Sequence, residues 1–226
     1  MTQGRPLVQL KVAVSGDGLI APGEGAPVWV TGPEARWYAH LLRARADAVM
    51  VGRKTVEDDD PELTCRLPGL ANRSPRRVVL DSRFRIATTS KMFATALRVP
   101  VIIFGAEGGP APPFPAGVET RQVPAGGGLR LEAVLQSLAN DGVTRVLVEG
   151  GPTIASALLA ADLADEVIIA RGTELLDASG RKPFGERGLD VLEDANRWRR
   201  ADTRTIGADT LTVHRRTGRF ADGAKG

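Results

Sequence analysis

The sequence predicts a single α/β domain, a mixed and mostly parallel sheet covered by helices on both faces. Three observations predict it. Short β-branched runs alternate with helical patterns along most of the chain. Runs such as Ala48–Val51 have the apolar character of buried strands. Two final strand patterns, Arg197–Ile206 and Thr210–Arg216, flank Gly207-Ala208-Asp209, which reads as an antiparallel hairpin.

The elements follow in order. Val8–Val14 reads as a strand ended by the turn Gly16-Asp17-Gly18. Pro33–Ala46 reads as an amphipathic helix, with Thr31 and Glu34 as a capping box and Pro33 in the tolerated first turn. Ala48–Val51 is a strand, and Arg53–Asp58 a short helix stopped by Pro61. Further strands are expected at Arg77–Asp81, Val99–Phe104, Val118–Val123, Arg145–Glu149 and Glu166–Ala170. Helices are expected at Ser90–Leu97, Leu129–Asn140 and Pro152–Ala161, and Gly105–Gly117 reads as a surface loop. No linker or internal repeat divides the chain. Residues 1–217 are expected to form the domain and 218–226 a flexible tail.

Composition narrows the function. The net charge is +3, aromatic residues make up 4%, and no lysine-rich block occurs, which argues against a nucleic-acid groove. The arginines suit small anionic ligands better. The single cysteine, Cys65, excludes an intrachain disulfide and a thiolate zinc cluster. His40 and His214 read as structural or surface groups, so no metal is expected. No apolar run approaches the roughly 20 residues of a membrane span, and the N-terminus lacks a signal-peptide pattern. A soluble, cytoplasmic protein is the expectation.

The densest polar chemistry lies in Val51–Arg66, VGRKTVEDDDPELTCR, directly after a buried strand, where α/β enzymes place their sites. Gly52-Arg53-Lys54-Thr55 fits an anion-binding helix start and equally an ordinary helix start with two solvated cations. Leu147-Val148-Glu149-Gly150-Gly151-Pro152-Thr153 runs from strand through diglycine to helix, and fits a pyrophosphate turn or a plain connection. Of Asp58-Asp59-Asp60, two should be bystanders. Lys11 sits mid-strand, where a lysine needs a carboxylate, a ligand or solvent. Lys11, Asp59 and Glu149 are therefore expected to form one cluster fit for acid–base work.

Taken together, the pieces resemble the reductase domain of bacterial riboflavin biosynthesis, which has a dihydrofolate-reductase-like, three-layer αβα fold. The pieces are LKVAVSGDG (Leu10–Gly18), WVTGPEAR (Trp29–Arg36), LLRARADAVMVG (Leu41–Gly52), TVEDDDPELTCR (Thr55–Arg66), RVVLDSR (Arg77–Arg83) and VLVEGGPTIASALLAADLADEV (Val146–Val167). The resemblance implies an NADPH-dependent 5-amino-6-(5-phosphoribosylamino)uracil reductase. Such an enzyme delivers hydride to C1 of the sugar, through the ring-opened imine, and leaves a ribityl chain. It further implies that Val14, Trp29, Arg53, Thr55, Asp59, Ser82, Arg83, Gly150, Gly151, Pro152 and Thr153 meet the cofactor. Thr31, Arg43, Leu63, Arg66 and Glu149 would meet the phosphoribosylamino-pyrimidine, with the two arginines on its phosphate. Lys11, Asp59 and Glu149 would line the reaction centre.

The diglycine is expected to be cis, as in dihydrofolate reductases, and Arg53, Ser82 and Arg83 to select the 2′-phosphate of NADPH. A related reductase acting on a pterin or another carbonyl, or a non-catalytic nucleotide-binding domain, are the alternatives. Where the family has Ser-x-Trp, this chain has Pro27-Val28-Trp29; where it has Ser-Leu-Asp-Gly, this chain has Ser15-Gly16-Asp17-Gly18. A homodimer is expected from the family. In many bacteria such a reductase is fused behind a zinc deaminase, whose His-x-Glu and Pro-Cys-x-x-Cys motifs do not occur in this sequence, so a stand-alone reductase and one half of a fusion with a deaminase partner both stay open.

Overall fold

Among the described residues nine strands supply the frame: β1 (Leu7–Val14), β2 (Ala48–Gly52), β3 (Arg76–Leu80), β4 (Val101–Ala106), β5 (Val118–Val123), β6 (Arg145–Val148), β7 (Glu166–Arg171), β8 (Trp198–Ile206) and β9 (Asp209–Arg216). They form one sheet in the order β5-β4-β3-β2-β6-β1-β7-β9-β8. The structure is a computed structural model and describes residues 4–21 and 28–220. Every pairing from β5 to β7 is parallel. β9 runs antiparallel to both β7 and β8.

The parallel strands are buried on both faces, which is why they read as unbroken apolar runs. Val49, Met50 and Val51 are all fully buried, as are Val101, Ile103 and Phe104. Along β1 the side chains alternate. Val8, Leu10, Val12 and Val14 join a core beneath α3 (Leu131–Asn140) and α4 (Pro152–Ala160). Gln9, Lys11 and Ala13 belong to the opposite face. There α1 (Pro33–Arg45), α2 (Arg53–Asp59) and a 3-10 turn at Lys91–Thr95 cover a second core containing Leu42, Val56, Met92, Leu147 and Ile168. The result is the expected three-layer arrangement.

Several local expectations are corrected. The segment expected as a helix over 90–97 is only the 3-10 turn Lys91–Thr95. Thr95 directs its hydroxyl to the Met92 carbonyl and accepts a bond from buried Arg77, and Pro100 blocks further winding. α3 begins at Leu131, because Leu129 bridges to Ala125 and the Arg130 amide bonds the Pro124 carbonyl. β4 spans Val101–Ala106, later than expected, since the Val99 amide is held by Thr95.

The Thr31–Glu34 capping box does not form. The N-cap is Gly32, with no side-chain cap bond. Its amide instead donates to Asp209 Oδ2 at 2.7 Å. Asp209, expected in the hairpin turn, is the first residue of β9, pairs with Ile206 and is buried. The turn is therefore the two residues Gly207-Ala208, and Gly207 takes the positive φ of 60° that a tight hairpin requires. Arg219, expected in the tail, is anchored on Asp165 at 2.8 Å. The rest of the tail, from residue 221, lies outside the described residues, as does Pro27.

Candidate active site

The site collects at the carboxyl ends of the parallel strands, the edge where open α/β sheets hold ligands. β6 and β1 are neighbours with Leu10 opposite Val148. One residue further along, Lys11 and Glu149 stand side by side on the α1 face. Glu149 lies just past the end of β6, and its amide still bonds the Met50 carbonyl at 3.0 Å.

From the last turn of α1, Arg43 reaches Glu149 with a planar two-bond grip. Nε meets Oε1 and Nη2 meets Oε2, each at 2.7 Å, with both side chains 13% exposed. Nη1 bonds the Thr64 carbonyl at 3.1 Å. Burial pushes the Glu149 carboxyl upward, but the charge and hydrogen bonds of Arg43, followed by Lys11 and His40, hold it below the usual carboxylate range. Lys11 makes no hydrogen bond within the described residues. Burial pulls its pKa down, Glu149 resists, and Arg43 adds to the lowering. One carboxylate thus serves two cations. Arg43 takes the hydrogen bonds, and Lys11 is the member most easily left neutral.

Asp59 stands apart from this cluster. It is an exposed residue at the end of α2, and no ion pair or hydrogen bond joins it to Lys11 or Glu149. Partial desolvation, then the neighbouring Asp58 charge, raises its pKa. Its two neighbours are engaged elsewhere, Asp58 with Lys54 at 2.5 Å and Asp60 with the Lys91 amide at 2.9 Å. The expected cluster of Lys11, Asp59 and Glu149 is therefore Lys11, Glu149 and Arg43.

The two glycine turns meet in space. β2 leads through Gly52 into α2, and β6 leads through Gly150 and Gly151 into α4, on adjacent strands with Met50 opposite Val148. The Gly151 amide donates to Thr55 Oγ1 at 3.3 Å. A Cβ at Gly52 would come within 2.9 Å of Ile154 Cδ1, and one at Gly150 within 3.3 Å, so bare backbone lines both turns. Neither helix start has a side-chain cap. Their free amides suit an anion. The Gly150–Gly151 bond is trans, contrary to expectation, since no cis peptide occurs among the described residues. Gly151, with φ −68° and ψ 179°, enters α4 from an ordinary extended conformation, and the trans form is the low-energy one. A groove of about 450 Å³ continues from Pro152 and Thr153 to Arg181 and Lys182. Nothing in the sequence reading marked these two cations.

Arg53 pairs with Glu57 and lies 3.7 Å from Asp81. Asp81 is buried and accepts the amides of Arg83 and Ile86. Arg53, Ser82 and Arg83 consequently gather at the ends of β2 and β3, the latter two exposed. Val14 is buried at the end of β1, its carbonyl bonded to the Gly172 amide. Trp29 is 70% exposed, with the Arg36 guanidinium 4.8 Å from its ring centre. Thr31 is buried, and its carbonyl accepts from Arg36.

The wall from Glu62 to Arg66 completes the site. Leu63 is buried with a φ of 55°, a left-handed conformation that costs a non-glycine residue about 1–2 kcal/mol. Arg66 is 60% exposed and bonds Glu62 at 2.7 Å. Its amide donates to His40 Nδ1 at 3.3 Å. His40, expected as a structural or surface group, lies three residues before Arg43, which places both on one face of α1.

A family comparison fits this geometry. Residues 6–212 match the RibD C-terminal domain, and the chain belongs to that family. RibD of Escherichia coli K12 is 32% identical over 221 residues, 92% of this chain and 59% of that protein. The chain thus spans less than two thirds of the RibD proteins it matches. The 2,5-diamino-6-ribosylamino-4(3H)-pyrimidinone 5′-phosphate reductase of Methanothermobacter thermautotrophicus is 31% identical, over 93% of this chain and 98% of that protein. The solved structure of Acinetobacter baumannii RibD superposes with a TM-score of 0.79 at 30% identity, covering 96% of this chain and 60% of its own. Dihydrofolate reductase from Enterococcus faecalis, at 16% identity and a TM-score of 0.53, covers 95% of this chain and 98% of its own, and shares the fold.

Proposed function

We propose that this chain is a reductase of riboflavin biosynthesis. In this reading it uses NADPH to convert the ribosyl side chain of 5-amino-6-(5-phosphoribosylamino)uracil into the ribityl chain. The single observation that carries the reading is the juxtaposition of two uncapped, glycine-lined helix starts with the Lys11–Glu149–Arg43 cluster at one sheet edge. The open amides and the glycines fit a dinucleotide's pyrophosphate, and Arg53, Ser82 and Arg83 fit a 2′-phosphate. When bound, the cofactor supplies the hydride.

The chain's own groups divide the rest. Glu149, fixed by Arg43, holds the substrate's polar edge. Lys11 gives a proton to the nitrogen of the ring-opened imine as hydride reaches C1, so the C=N bond becomes C–H and N–H. Burial lowers its pKa from the ordinary lysine value, which makes it a readier proton donor than a solvated lysine. Arg66 takes the phosphate. Arg43 has three of its five donors already placed on Glu149 and Thr64, so it serves mainly to fix Glu149. Asp59, exposed at the end of α2, is assigned to the contact between cofactor and substrate.

The diaminopyrimidinone accepted by the archaeal relative is a second substrate reading, favoured by the nearly end-to-end match to that protein. The test is to supply each pyrimidine with NADPH and follow oxidation and the ribityl product. Folded protein that oxidises no NADPH with either compound sinks the proposal. The same reading carries a cytoplasmic location, a single reductase domain and a homodimer. Sedimentation as a monomer at micromolar concentration would remove the last. No described helix is long and apolar enough to cross a membrane.

A further inference from the structure

His40 lies under the Arg66 wall with one ring nitrogen facing two backbone groups. Nδ1 is 3.3 Å from the Arg66 amide nitrogen and 3.1 Å from the Thr64 carbonyl oxygen. The two contacts exclude each other. A bare Nδ1 can accept from the amide but cannot donate to the carbonyl, and a protonated Nδ1 does the reverse. The alternatives are unequal. The Thr64 carbonyl already holds Arg43 Nη1 at 3.1 Å, whereas Nδ1 is the one acceptor given to the Arg66 amide among the described residues. The state with bare Nδ1 therefore pairs both backbone groups. We propose that His40 is a positioning residue for the substrate's phosphate: bare Nδ1 holds the Arg66 amide, and a proton on Nδ1 transfers that nitrogen to Thr64 and releases the Arg66 segment.

The charged groups facing the ring are Arg43 from its own helix, Arg66 from the wall and Glu149 from the end of β6. Burial, then Arg43 and Arg66, keeps the imidazole below the ordinary histidine value, against the Thr64 carbonyl and Glu149. The segment is thus held at neutral pH and released on the acid side.

The inference rests on the reading that Arg66 meets the phosphate. Its test is KM for 5-amino-6-(5-phosphoribosylamino)uracil from about pH 5 to about pH 8, a window spanning histidine titration. Wild type is compared with His40→Asn, whose Oδ1 accepts like Nδ1 but does not titrate, and with His40→Phe. The substrate phosphate itself titrates near pH 6, equally for all three. His40→Phe should raise KM about three- to tenfold at every pH, the scale of one net hydrogen bond. His40→Asn should recover most of that loss at neutral pH and lack the extra acid-side rise of wild type. KM for NADPH should not move. A His40→Asn profile that tracks wild type, or an unchanged KM in folded His40→Phe, overturns the proposal. If His40→Phe does not fold, the His40→Asn profile decides alone. Arg66→Ala separates the layers: if it leaves KM unchanged, the phosphate reading itself has failed.

Discussion

Glu149→Gln keeps the shape of the side chain and removes its charge. In the native protein that charge receives two bonds of 2.7 Å from Arg43, with both groups 13% exposed. Breaking a buried pair by removing one partner costs about 3–5 kcal/mol. The glutamine oxygen still accepts from Arg43 Nε, so the low end applies, about 3 kcal/mol. For a chain of this length each kcal/mol shifts Tm by roughly 2–4 °C, giving a loss of about 6–12 °C. Thermal unfolding near neutral pH reads this directly. The carboxyl is held below its usual range in the fold. Its stabilisation is therefore complete above the unfolded value of 4.5 and disappears as pH falls through the folded value. The gap between wild type and variant should stay constant down to about pH 4.5 and narrow below it. Arg43→Met should cost about as much, and the double variant little more than either single one. A Tm loss below about 3 °C, corresponding to roughly 1 kcal/mol, or additive losses in the double variant, would refute a tightly held pair.

Three further outcomes are expected. Lys11→Met should abolish turnover while raising Tm by a few degrees, because a half-buried, partly desolvated cation with no hydrogen bond among the described residues serves function rather than stability; a Tm loss would contradict this. Asp59→Asn should lower kcat with little change in KM for the pyrimidine, and Arg66→Ala should raise that KM about tenfold or more with a smaller change in kcat; the reverse pattern would exchange their roles. Comparison of NADPH with NADH at equal concentration should favour NADPH, and replacing Arg53 and Arg83 by alanine should erase most of the preference; equal efficiency in wild type would count against the 2′-phosphate reading.

The sheet could be read from the sequence because strands buried on both faces must be apolar throughout, as Ala48–Val51 and Val101–Phe104 are. The site could be read only in pieces. Lys11 was marked by its place inside a strand, and Glu149 by its place at the end of one. What fixes Glu149 is Arg43, 106 residues before it, and no periodicity selects that arginine over others. Asp59 is grouped with Lys11 and Glu149 by opposite charge, strand-end position and the family resemblance, and none of these carries a distance. The capping box at Thr31 obeyed local rules, but Asp209, 177 residues away, supplied the bond. The Lys91–Thr95 segment had helical composition, and the demand of Arg77 for a hydroxyl came from another strand. His40 was passed over because its partners are backbone groups, which leave no mark in side-chain pattern.

The position of β1 has a consequence for biosynthesis. It precedes the other strands of the sheet in chain order, yet it lies between β6 and β7 inside the sheet. Its neighbours are β6 and β7, with Leu7 opposite Arg145 and Gln9 opposite Glu166. Pairing across such separations is slow, and half-built sheets expose sticky edges. Throughout translation of β2 to β5, Lys11 has neither Glu149 beside it nor a strand on either side. Of Lys11, Arg43 and Glu149, the residue assigned the proton is made before the other two and receives its surroundings last.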